Sequence, residues 1–168
     1  LESEAKQWAL DLADFWNENV ERWTAVYGTD LAREVDVPGY FIRTAPASVL
    51  QNGERALDEL VPIRNRADGL KLAAKDQVST DFLQLVRLGL RQACDPLIRD
   101  SIKVVDSLLK VDTPAGPLWR RYNHDGYGEH ADGRPYDGTG EGRPWPLLAG
   151  ERGHYELAAG RDPLPFLL

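Results

Sequence analysis

Between Val111 and Pro144 the chain keeps neither a helical nor a strand period, yet this is where its most distinctive residues collect. Ten of the fifteen glycines lie between Gly116 and Gly160, and six aromatic residues lie from Trp119 to Tyr155. A loop this long inside a compact domain is uncommon and is usually functional or disordered. So many rings argue against disorder. Glycine lets a backbone turn tightly or approach a ligand closely. Tryptophan and tyrosine offer flat apolar faces with a polar edge, and arginine and aspartate grip hydroxyls and carboxylates directionally. The fold must therefore hold one long, ordered loop on a scaffold made from the remainder. That loop suits a polar ligand with apolar faces, of which a sugar ring is the plainest example.

The scaffold reads as helical. Ala5, Trp8, Ala9, Leu12, Phe15, Trp16, Val20 and Trp23 follow the three-and-four spacing of an amphipathic helix over residues 2–25, with Gly28 as its stop. The spacing assigns the three tryptophans to core packing. Ser79 or Thr80 can cap a helix running to about Arg91, with Phe82, Leu83, Val86 and Leu90 on one face. Asp95-Pro96 is an N-cap followed by proline at the first helical position. It opens a stripe of Leu97, Ile98, Ser101, Val105, Leu108 and Leu109 that Thr113-Pro114 closes. A last helix is expected from Trp145 or Pro146 to Ala159. Residues 38–66 differ: Pro38, Gly39, Pro46, Asn52-Gly53 and Pro62 punctuate short segments and suggest a small β-hairpin near residues 38–62.

Composition narrows the partners. A net charge of −7 argues against nucleic acid, whose binding needs lysine and arginine to neutralise phosphates, and against an anionic membrane surface. No apolar run approaches the length of a transmembrane helix. Cys94, the single cysteine, reads as a small buried hydrophobe on a helix. The chain has no methionine and ends on Pro165-Phe166-Leu167-Leu168. We read residues 1–168 as an incomplete, internal piece of a larger protein.

Two motifs name the loop. Arg121-Tyr122-Asn123-His124-Asp125-Gly126-Tyr127-Gly128-Glu129, then Gly142-Arg143-Pro144-Trp145-Pro146-Leu147-Leu148 and Gly150-Glu151-Arg152-Gly153, resemble glycoside hydrolase family 15. The likeness is greatest to its prokaryotic glucoamylase and glucodextranase branch, and Phe82–Gly89 and Val111–Pro114 share it. The resemblance implies an all-α fold, part of an (α/α)6 barrel with long connecting loops, whose active site lies among the loops at one end. It implies an inverting, exo-acting α-glucan hydrolase that releases glucose from non-reducing ends. A non-catalytic carbohydrate-binding or regulatory barrel and a trehalose-cleaving member of the family are the alternatives. Such chemistry uses two carboxyl groups, one as acid and one as base. The family carries them in Trp-Glu-Glu and Pro-Glu-Gln type motifs, and neither tripeptide occurs here. By that reading the chain supplies no catalytic residue. It binds the α-glucan and pairs with the remainder of its own catalytic domain. Prokaryotic members are often exported, which leaves the compartment open with a lean to export.

The resemblance assigns substrate binding to Arg121, Asp125, Tyr127 and Trp145, with Trp119 as a further candidate whose packing role is the stronger. Each has a structural alternative: Arg121 and Asp125 as a loop-stabilising ion pair, Trp145 as a core anchor. Glu129 and Glu151 are the local carboxyls suited to acid or base work, in contexts where structural roles are commoner. Asp125, Glu129, His124 and His130 fit neither a His-Glu-x-x-His helix nor a paired Cys/His site. Asp132-Gly133 and Asp137-Gly138 lack the ligand succession of a calcium loop. No metal or cofactor is expected.

Overall fold

The computed structural model describes residues 2–167. In chain order it contains α1 (Glu2–Thr24), β1 (Ala25–Tyr27), α2 (Asp30–Glu34), β2 (Gly39–Phe41) and α3 (Val49–Asn52). A 3-10 turn (Gly53–Asp58), β3 (Leu60–Pro62), β4 (Lys71–Ala73), a second 3-10 turn (Ala74–Asp76) and α4 (Leu83–Arg87) follow. The last part comprises α5 (Pro96–Leu109), β5 (Lys110–Thr113), β6 (Gly116–Arg120), β7 (Pro144–Trp145), α6 (Pro146–Ala158) and a 3-10 turn (Leu164–Phe166).

The central helix α5 starts where its sequence says it should. The Asp95 carboxylate accepts from the N–H groups of Leu97 (2.9 Å) and Ile98 (3.4 Å), and Pro96 needs no partner there. Ile98, Ile102, Val105 and Leu109 are buried, each burial worth about 1.5–3 kcal/mol. Ser101 lies in the same stripe for a reason the spacing does not reveal. Its Oγ accepts the Phe41 N–H of β2 at 2.8 Å and donates to Leu97 O at 2.7 Å, so helix and strand are joined through one buried hydroxyl.

The first helix has the expected length but not the expected burial. Trp8, Phe15 and Trp16 are 67%, 52% and 58% exposed. Only Trp23, edge-on to Phe15 at 5.5 Å, packs against the core. Nothing among the described residues covers the N-terminal turns. The C-terminal half is moored by Arg91, which donates to Asn17 Oδ1 (2.7 Å) and Glu21 Oε2 (2.8 Å). Gly28 is no cap: α1 ends at Thr24, and Gly28, at φ +61°, turns the chain after β1 while its N–H donates to Pro38 O.

The strands fall partly where turn residues suggested, with partners from farther away. β2 pairs antiparallel with β1 (Ala25↔Phe41) and β3 with β4 (Leu60↔Ala73). Residues 38–62 thus supply one strand to each of two ribbons. The helix expected over 79–91 shrinks to α4, because Thr80 to Phe82 turn and Gly89, at φ +72°, closes it. The Leu90 N–H returns to Leu85 O at 2.8 Å, the six-to-one bond of a Schellman ending. Thr113-Pro114 ends a strand rather than a helix: β5 and β6 form a hairpin (Lys110↔Trp119), and β7 adds to its far edge (Trp119↔Trp145). α6 packs across β6 and α4, beginning at Pro146 as the sequence predicts.

Candidate functional site

The site grows from the end of β6. Beyond Arg120 the chain is caught by Asn123, whose Oδ1 accepts the Val78 N–H (2.9 Å) and whose Nδ2 donates to Asp76 O (2.7 Å). His124 then takes a left-handed conformation (φ +60°). The tight turn brings Asp125 under Arg121. Arg121 Nε donates to Asp125 Oδ2 at 2.7 Å and Nη2 donates to Oδ1 at 3.0 Å, a two-point fork. Oδ1 also accepts the Tyr127 N–H at 3.0 Å. The Asp125 side chain is wholly buried while that of Arg121 keeps a third of its surface. The bond to Asp125 raises the Arg121 guanidinium above the ordinary arginine pKa. The fork leaves other guanidinium N–H groups unspent.

Three rings surround that guanidinium. Its Cζ lies 5.4 Å from the Tyr122 ring centre, 5.1 Å from Tyr127 and 5.6 Å from Trp145. Tyr127 is 45% exposed and meets Tyr136 edge-on at 5.4 Å. Trp145 is delivered by β7, and its buried Nε1–H has no acceptor among the described residues. Arg121, Asp125, Tyr127 and Trp145 therefore converge. Trp119 does not join them. It is 1% exposed, donates from Nε1 to Asp106 Oδ1 at 2.9 Å and packs against Phe166, so packing is the role its geometry carries.

The glycines hold the loop to itself. A Cβ on Gly142 would lie 2.7 Å from Asp125 Cβ, and one on Gly126 would lie 2.5 Å from Asn65 O. Gly128 and Gly140 likewise meet Glu141 O and Gly128 O too closely for any side chain. Residues 126–129 thus lie backbone to backbone on 138–142, bonded from Glu141 N to Glu129 O (3.2 Å).

A second wall comes from the β3–β4 loop, which sequence reasoning did not assign to the site. Asn65 Nδ2 donates to Tyr122 Oη (2.8 Å), Tyr122 Oη donates to Arg64 O (3.1 Å), and Ala67 N donates to Gly138 O (2.8 Å). Arg43, just past β2, lays its guanidinium 3.9 Å from the Tyr122 ring centre. Asn65 is left-handed (φ +59°), and asparagine between two arginines is a turn signal. It says nothing of which loop the turn will meet.

The remaining carboxyls are otherwise engaged. Glu129 pairs with Arg143 Nε at 2.8 Å on the surface. Glu151 accepts from Gln84 Nε2 at 2.9 Å where α4 meets α6, and burial with the nearby Asp81 charge raises its pKa. His130 bonds Asp137 at 2.9 Å. Among the described residues no three His, Cys, Asp or Glu side chains gather as metal ligands would. A groove of about 330 Å³ lined by Tyr27, Thr29, Glu54, Asp58 and Lys75 lies apart from Arg121, so concavity alone does not mark the site.

No family model matches the chain. Over 93 residues, 55% of its length, it is 58% identical to a glucoamylase of Clostridium sp. (strain G0005), of which it covers 13%. Its backbone superposes with a TM-score of 0.80 and 44% identity on the crystal structure of a bacterial glucoamylase complexed with acarbose. That likeness covers 97% of this chain and 23% of the solved one.

Proposed function

We propose that the chain is part of a glucoamylase-type catalytic domain of glycoside hydrolase family 15, carrying part of its α/α barrel, and that the Arg121 site is one wall of the glucose-binding centre of an inverting, exo-acting α-glucan hydrolase. The observation that carries this reading is the fork from Arg121 to the buried Asp125 within three aromatic rings. Asp125 fixes the guanidinium plane, so the spare N–H groups meet sugar hydroxyls without first being ordered. Tyr127 and Trp145 offer apolar faces to the C–H side of a pyranose.

Inversion needs an acid and a base carboxyl about 6.5–9.5 Å apart, with room for water at the base. We assign both to parts of the catalytic domain outside residues 1–168, since Glu129 and Glu151 already serve Arg143 and Gln84. The chain's part is to hold the terminal glucose unit while those groups act. The exposed Trp8, Phe15 and Trp16 face then belongs against neighbouring helices of the barrel. The full-length protein, given maltose, isomaltose and dextran, is expected to release β-glucose first, as NMR of the anomeric proton would record. Release of the α-anomer, or no glucose from any of them by a folded preparation, would overturn the proposal.

A further inference from the structure

Four arginines among the described residues lie over aromatic rings: Arg43, Arg121, Arg152 and Arg161. Three of them also have a carboxylate, namely Asp125, Glu156 with Asp106, and Glu156. Arg43 has none. Its one side-chain bond is a long contact from Nη1 to Gln77 Oε1 at 3.5 Å. Gln77 is itself buried and fixed, donating from Nε2 to Val61 O at 2.8 Å and Leu72 O at 3.3 Å. A half-buried guanidinium without a counter-charge is costly to desolvate. Its position is nonetheless well determined. The Arg43 N–H donates to Gln77 O at 2.7 Å, and the guanidinium covers a Tyr122 ring held at its hydroxyl by Asn65 and Arg64.

We propose that Arg43 is a second carbohydrate-binding guanidinium, donating to hydroxyls of the α-glucan from the Tyr122 side while Arg121 donates from its own. This rests on the reading of the Arg121 site as a sugar site. Tyr122 is then the spacer between two cationic forks, contacting both through its ring, and the β2 end and β3–β4 loop become part of substrate recognition. Neutral hydroxyls suit Arg43 because its face is already satisfied by the ring and its N–H edge carries almost no other bond.

The test compares Arg43→Gln, Arg43→Lys and Arg121→Lys with the unaltered full-length protein on maltose through maltoheptaose, with thermal melting in parallel. Arg43→Gln is expected to lower kcat/KM about tenfold, chiefly through KM. Arg43→Lys, which keeps the charge over the ring, should keep Tm and still lose kcat/KM. If Arg43→Lys restores kcat/KM in full, or Arg43→Gln leaves it unchanged while Arg121→Lys lowers it, Arg43 only packs and this inference alone fails. Absence of glucose release by the unaltered protein would instead remove the sugar site and both readings with it.

Discussion

Arg121 and Arg152 are built from the same parts and set in different surroundings. Each bonds a carboxylate four residues on, Asp125 or Glu156. Each sits amid three rings at similar distances: Tyr122, Tyr127 and Trp145 around one, Trp119, Tyr155 and Phe166 at 5.4, 5.8 and 5.3 Å around the other. The difference lies in exposure and in how the neighbouring groups are bonded. Around Arg152, whose side chain is 11% exposed, the indole, hydroxyl and carboxylates all have partners. Asp106 Oδ1 receives both Arg152 Nη1 (2.5 Å) and Trp119 Nε1, Tyr155 Oη donates to Ala93 O at 3.1 Å, and Glu156 also receives Arg161. Burial pushes the Glu156 carboxyl up, but Arg161 and Arg152 outweigh it and hold it below the ordinary value. Around Arg121 the set stays open: a third of the side chain is exposed and one indole N–H has no acceptor. Both guanidiniums spend two of their five N–H groups on carboxylates, so residue types and bond counts do not separate the two clusters; exposure does, at 33% for the Arg121 side chain and 11% for that of Arg152.

The comparison can be broken most forcefully at the closed cluster. Arg152→Met leaves Asp106 and Glu156 without their shared partner, and breaking a buried pair costs roughly 3–5 kcal/mol. A large drop in Tm of the full-length protein is expected, with kcat/KM per folded molecule unchanged; a full loss of activity at unchanged Tm would reverse the two roles. Arg121→Lys should do the opposite. Lysine cannot reproduce the fork, so kcat/KM should fall about ten- to a hundredfold, from roughly 1.5–3 kcal/mol of lost charge-assisted bonding, while Tm moves little. Unchanged kinetics there would demote the pair to a loop brace. Trp145→Phe is subtler. Deleting a buried, unpaired donor removes a desolvation penalty of about 1 kcal/mol, so melting should hold or rise while kcat/KM falls several-fold. A falling Tm with intact kinetics would mark Trp145 as a core anchor.

Legibility followed locality. The start of α5 could be read in full because Asp95, Pro96 and the Ile98–Leu109 stripe act within a few residues of one another. Arg121 and Asp125 were equally accessible, four positions apart in a recognisable motif. Strand partners were not: Ala25 meets Phe41 and Leu60 meets Ala73 through three-residue segments too short to carry a period. Asn65 and Arg43 reach Tyr122 across 57 and 79 positions, and no local pattern announces a contact of that span. The α1 stripe teaches a third lesson. Its spacing marks an apolar face, but of the three tryptophans expected in the core only Trp23 packs there while Trp8 and Trp16 are exposed, because periodicity gives a face its composition and not its neighbour.

The seam of Gly126, Gly128, Gly140 and Gly142 has a mechanical consequence. With no side chains between its two halves, the loop has no slack to take up and no joint about which to swing; it is chassis rather than door. Its Glu141 N–H, bonded across the seam, should exchange with solvent as slowly as the amides of α5, which hydrogen exchange on the full-length protein would measure. On the proposed reading, a sugar at Arg121 would meet a fixed bulkhead, and the movement that admits it and lets glucose leave would belong to other parts of the protein.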